Sequence, residues 1–201
     1  MLENLPAWLG TALVNARAGH GKLALARLGG EGLLHRGGFT LRSAAFADGE
    51  ALDPSFTADE EDSVAPPLEW TAPPPGTQEL ALVVEDPDAP QSAQGSEPFC
   101  HWLVWGLAPQ QGKLLEGETP PRVGKNSFGN SEWLLPDPPT GHGSHDYVFQ
   151  LFALDRPLPL MPGAPRDDLI EAMEGHVIGA AVLTATYVRS DEDDWDEDDG
   201  G

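Results

Sequence analysis

The feature that most constrains this chain is a change of grammar at Phe39. From there the sequence breaks into short strand-forming runs, at 39–46, 80–85, 101–107, 147–154 and 177–189, each bounded by Pro, Gly or Asp. With 20 prolines and 23 glycines in 201 residues, the connections are expected to be turns and loops. One helical pattern interrupts the strands: residues 167–175 carry acids in the first turn and a glycine at the end. Strands without a βαβ alternation predict a mainly-β fold, an antiparallel β-sandwich with a few short peripheral helices.

Both ends differ from this middle. Leu5, Trp8, Leu9, Ala12, Leu13 and Ala16 recur at three- and four-residue spacing, the pattern of one helix face, with Asn4 as cap and Pro6 in the first turn. Gly19 and Gly21 end it, and a second apolar stretch at 23–28 runs into Gly29, Gly30 and Gly32. Residues 1–37 therefore read as an N-terminal helical extension, 38–190 as the domain and 191–201 as a disordered acidic tail. The apolar face of the extension needs cover, either from its own domain or from a second copy in a homodimer. In the tail eight of eleven residues are acidic, and their repulsion favours an extended, solvated chain.

Charge narrows the partners. Against 33 Asp and Glu stand 11 Lys and Arg, a formal charge of −22, which opposes contact with a phosphate backbone and excludes nucleic acid as a main partner. No apolar run is long enough to insert into a bilayer, and the lone Cys100 has no internal disulfide partner. The first residues lack the basic and apolar regions of a secretion signal, so a soluble, cytoplasmic protein is expected.

Three segments carry candidate chemistry. Residues 80–90 form an apolar strand running into Asp86-Pro87-Asp88-Ala89-Pro90, where two prolines restrict the directions in which Asp86 and Asp88 point. Read alone, this is also an Asx-type turn ending a strand. Residues 99–105 begin a second strand, whose alternation groups His101 with Leu103 and Trp105 on one face. Residues 136–147, with Pro138-Pro139 and Gly141-His142-Gly143, deliver His145 to the start of a third.

These three ordered motifs resemble the phosphatidylethanolamine-binding protein family, in its bacterial and archaeal Raf-kinase-inhibitor-like branch. The resemblance runs from about Phe39 to Arg189, taking in Pro66-Pro67-Leu68-Glu69-Trp70, Gly124-Lys125-Asn126-Ser127-Phe128-Gly129 and the segment from His176 to Tyr187. It implies a large antiparallel sheet packed on a smaller one, and a non-enzymatic protein binding a small anionic ligand such as a phosphate group. The pocket wall would comprise Asp86, His101 and His145, with Asp88, Pro90, Pro138 and Tyr147 shaping the cavity and Ala89–Pro90 cis. It further implies a role as regulator or inhibitor of a kinase or protease partner, and no cofactor. Two imidazoles suit an anion because they donate hydrogen bonds or gain charge near neutrality.

The chain departs from the family pattern at Asp137, in the approach to the proline pair, and at Asp146, where an arginine is usual. Carboxylates beside the site oppose a bound anion, so binding is expected to be weak and confined mainly to below about pH 6.5. Two other classes stay open. A hydrolase could use Asp86, His101 and His145 for acid–base work, although neither Ser144 nor Cys100 stands in a recognisable nucleophile context. A zinc site could draw on His142, His145, His101, Asp86 and Asp88, although alternation along an extended chain sends His142 and His145 to opposite sides.

Overall fold

Every residue of the run Glu79–Asp86 is buried, which explains the unbroken apolar stretch 80–84 within it and places it at the centre of the molecule. The structure, a computed structural model, describes residues 20–29, 31–90 and 97–189. The helix expected around Leu5–Ala16, and the tail at 191–201, lie outside the described residues. The strands are β1 (Leu41–Arg42), β2 (Leu68–Trp70), β3 (Glu79–Asp86), β4 (Phe99–Leu107), β5 (Gly112–Leu114), β6 (Arg122–Val123), β7 (His145–Leu154) and β8 (Val177–Tyr187). Among the described residues two α-helices, α1 (Ala24–Leu28) and α2 (Arg166–Met173), accompany them.

All strand pairs are antiparallel and form two sheets, a small one in the order β1-β2-β5 and a large one in the order β6-β4-β3-β7-β8. The fold is thus mainly β, a large sheet packed on a smaller one. Period-two alternation divides the core. Leu80, Leu82 and Val84 join Tyr147, Phe149, Leu151 and Leu183 against Leu41, Leu68, Trp70 and Leu114 of the small sheet. The opposite face carries Ala81, Val83, Leu103, Trp105 and Phe152, covered by Ala24 and Leu25 of α1 and by Leu169, Ile170 and Met173 of α2. Each large side chain so buried contributes roughly 1.5 to 3 kcal/mol.

The expected strand at 39–46 shrinks to the two residues of β1, while Phe39 and Phe46 still bury their rings in the core. β2, β5 and β6, of two or three residues, are too short to show any periodicity in sequence. Two irregularities interrupt the β3–β4 register. One lies opposite Ala81, where Gly106 adopts a φ of +73° that an L side chain rarely takes. The other skips His101, because Val84 pairs with Trp102 and Glu85 with Cys100.

Residues 20–28 of the expected extension dock on the domain itself. The fully buried carboxylate of Glu85 accepts the Ala24 N–H at 2.8 Å, the Gln150 side-chain amide at 2.7 Å and the Arg166 Nε–H. Gln150 Oε1 in turn accepts the Leu25 N–H at 2.7 Å, and Arg166 donates to the Lys22 carbonyl at 3.2 Å. Polar groups buried this deeply are tolerable only when each finds a partner. Glu85→Gln leaves the guanidinium of Arg166 without its buried counter-charge, and urea unfolding is expected to show a loss of about 3 kcal/mol. Adding Arg166→Met should recover part of that loss.

Candidate ligand-binding site

The chain bends sharply at the end of β3, and Asp86 makes the bend. Its Oδ1 accepts the backbone N–H groups of Asp88 and Ala89 at 2.8 and 2.9 Å, the Asx turn that the proline spacing suggested. Its Oδ2 faces His145 Nδ1 at 2.7 Å, with both side chains almost wholly buried. A carboxylate only accepts, so Nδ1 of His145 carries the proton and Nε2 of the neutral ring is an acceptor. That nitrogen meets His142 Nδ1 at 2.8 Å, so His142 donates to it. Asp86, His145 and His142 form one chain of hydrogen bonds running from the core to the surface.

The contact between the two imidazoles differs from the expected opposite orientation. Strand alternation begins only at His145, and the approach to it is a turn in which Gly141 and Gly143 have φ of +75° and +93°. This turn folds His142 back onto His145.

His101 reaches the site through the skipped register position, which turns its ring away from the face of Leu103 and Trp105 with which alternation had grouped it. Its ring sits edge-on to Tyr147, with centroids 5.1 Å apart, and to Phe99, at 5.3 Å. Nδ1 lies 2.7 Å from the Leu134 carbonyl oxygen, which only accepts, so Nδ1 carries the proton here too. Nε2 is buried and has no hydrogen-bond partner among the described residues.

Asp86, His101 and His145 line a cavity of about 140 Å³ together with Pro90, Asp137, Pro138 and Tyr147. Phe99, Phe128 and Leu135 complete its apolar wall; sequence reasoning missed them because nothing in their own segments marks them as pocket residues. A wider groove of about 600 Å³, lined by Val64, Trp102 and Trp133 among others, adjoins it at Phe128, Leu135 and Asp137. Burial, reinforced by Asp86, Asp137 and Asp88, pushes the Tyr147 hydroxyl well above its ordinary value, so it stays a donor. The Ala89–Pro90 peptide, expected cis, is trans, as is every peptide bond among the described residues.

Asp88 and Asp146 lie elsewhere. Alternation along β7 sends His145 and Tyr147 to the cavity and Asp146 to the other face. There Asp146 lies 3.2 Å from His20 Nε2, and its N–H donates to Asp88 Oδ2 at 2.9 Å. His20, Asp88 and Asp146 each offer a ligand atom within 4.8 Å of the others. Among the described residues this is the group of His and acid side chains spaced to share a metal ion; of the set offered by the sequence, His142, His145, His101, Asp86 and Asp88, it includes Asp88 alone. Of the two acids expected to oppose an anion, Asp137 alone faces the cavity, and Arg189, which also bonds Asp59, pairs with it. Cys100 is buried, and its thiol is pushed up by burial and by Glu85.

Burial holds the His101 ring below its ordinary 6.5, against the opposing effects of the Leu134 carbonyl and Asp86. Above pH 6.5 folded and unfolded rings are both neutral, and stability is full. As the pH falls below 6.5 the unfolded chain takes the proton first, and stability is lost. Urea unfolding between pH 7 and 5 is therefore expected to show wild type losing its advantage over His101→Gln as the pH drops; a constant difference would contradict this account.

The sequence profile of the family described as phosphatidylethanolamine-binding protein matches residues 42–188. A UPF0098 protein from Methanothermobacter thermautotrophicus is 37% identical over 159 residues, covering 74% of this chain and 98% of its own length. The solved structure of a phosphatidylethanolamine-binding protein homologue, CT736, from Chlamydia trachomatis superposes with a TM-score of 0.69 at 34% identity, covering 75% of this chain and 97% of that one. Escherichia coli YbcL, described as a member of the mammalian family, gives 0.68 at 25% identity over 75% and 98%. The double sheet, the motifs at Asp86, His101 and His145 and these likenesses lead to one conclusion: the chain belongs to the phosphatidylethanolamine-binding protein family.

Proposed function

We propose that this protein is a non-enzymatic binding module whose cavity takes a phosphate-type anion, loading as His145 takes up a proton. The observation that carries this reading is the pair of bonds on His145: Nδ1–H is committed to Asp86, so Nε2 becomes a donor only when the ring is an imidazolium. Asp86 then serves as its buried counter-charge, and the Tyr147 hydroxyl supplies a second donor from the same wall. Cys100, the one thiol, faces the helical side of the sheet with Leu103 and Trp105 and is not placed to act as a covalent nucleophile in this cavity. Against the earlier expectation that Asp146 weakens the site, its charge faces His20 on the far side of β7.

Titration calorimetry with inorganic phosphate is expected to show tighter binding at pH 6 than at pH 8 and a loss of about tenfold or more in His145→Ala. Equal affinity at the two pH values would sink the reading. His142 has to release Nε2 of His145 before an anion can take it, and its side chain is exposed, so that movement is cheap. His142→Ala should therefore strengthen phosphate binding a few-fold, by about the net worth of one hydrogen bond. Weaker binding in that variant would mean instead that His142 touches the ligand.

A further inference from the structure

Resting on the reading of this cavity as a phosphate site, we infer that it selects oxyanions carrying their own hydrogen-bond donor: inorganic phosphate or a terminal phosphomonoester with a P–OH group, in preference to sulfate or a phosphodiester. The carrying observation is Nε2 of His101. It belongs to a side chain 3% exposed that lines the cavity, and no described residue satisfies it. The Leu134 carbonyl fixes the ring's single proton on Nδ1, which makes Nε2 an acceptor. Protonating it to create a donor is opposed by burial.

A ligand that brings only acceptor oxygens to this wall sets a lone pair against a lone pair and leaves a buried polar atom unpaired. A ligand with a P–OH group satisfies Nε2 with that hydrogen and turns its charged oxygens toward the His145 imidazolium and the Tyr147 hydroxyl. The carboxylates that face the cavity, Asp86 and Asp137, act in the same direction, since both also favour a ligand that arrives with a proton and less charge. Sites built on buried acceptors discriminate in this way because the competitor leaves a polar atom unsatisfied, a penalty worth a factor of ten or more.

Four anions test the inference on the full chain at pH 6: inorganic phosphate, methyl phosphate, sulfate and dimethyl phosphate, each by calorimetry. Sulfate matches phosphate in shape and exceeds its monoanion in charge, so charge alone would make it the better ligand. The expected result is binding of phosphate at least about tenfold tighter than sulfate or dimethyl phosphate. Methyl phosphate binding like inorganic phosphate assigns the site to the end of an organic monoester; inorganic phosphate binding alone assigns it to the free ion. Sulfate or dimethyl phosphate within about threefold of phosphate overturns the selectivity while leaving the anion site standing. No binding by any of the four, with no change in the His145 ring resonances, overturns the anion site itself and the selectivity with it. Nitrogen-15 spectra of the free protein give an independent readout, because a protonated Nε2 on His101 at pH 7 overturns the inference whatever the affinities.

Discussion

One carboxylate ties the local turn, the sheet and the cavity together. Asp86 is 3% exposed, and a charged carboxylate taken out of water is expensive unless hydrogen bonds replace its hydration. Two come from backbone N–H groups three residues or fewer ahead and one from an imidazole 59 residues away. The bonds that satisfy the charge therefore shape the chain after β3, hold the start of β7 against the end of β3 and select the tautomer of His145. None of these can change alone without leaving a buried polar atom unpaired, whose cost is about 1 to 3 kcal/mol.

The residue before it does the same for the opposite face. Because strand side chains alternate, Glu85 points into the helical layer where Asp86 points to the cavity. Glu85 gathers Ala24, Gln150 and Arg166, and Arg166 reaches on to Lys22 and Glu97. The end of β3 is pinned from both sides, by a polar network under α1 on one and by an imidazole on the other. Site residues held on such an element keep their geometry better than residues carried by a free loop. The wall formed by Asp86 and His145 has that support, whereas His142 stands on a glycine-flanked turn and does not.

Much of this was legible in the chain, and the failures share a cause. The four long runs became β3, β4, β7 and β8 because eight or more residues are enough for alternation or continuous burial to show. The motif residues Asp86, His101 and His145 do line one cavity, together with Pro90, Pro138 and Tyr147. What misled was the assumption of an unbroken extended chain. A skipped register position turned His101 to the other face, and two positive-φ glycines brought His142 onto His145. Asp146 was a different case: the alternation that places His145 and Tyr147 at the cavity already places Asp146 behind them, and its separation from the site could have been read from the sequence. The contribution of Arg189 could not, because its pairing with Asp137 joins segments more than fifty residues apart.

The strongly acidic composition suggests a molecule hostile to anions, yet the net charge of −22 is a poor guide to this cavity. Exposed charges beyond about 8 Å are largely screened at physiological salt, so the groups lining the wall decide. Two of these are carboxylates. Asp137 shares the guanidinium of Arg189 with Asp59, which leaves its charge partly offset. Asp86 faces the His145 ring at 2.7 Å, and burial opposes a charge on His101. On the proposed function, a proton on His145 changes the character of the wall. On that reading, an anion arriving before the proton meets the Tyr147 hydroxyl as a donor but an acceptor nitrogen on His145; with the proton, Asp86 has an imidazolium at 2.7 Å and the far side of the ring becomes a donor. The family scaffold provides the cavity, and on the proposed reading the protonation of one ring sets the field inside it.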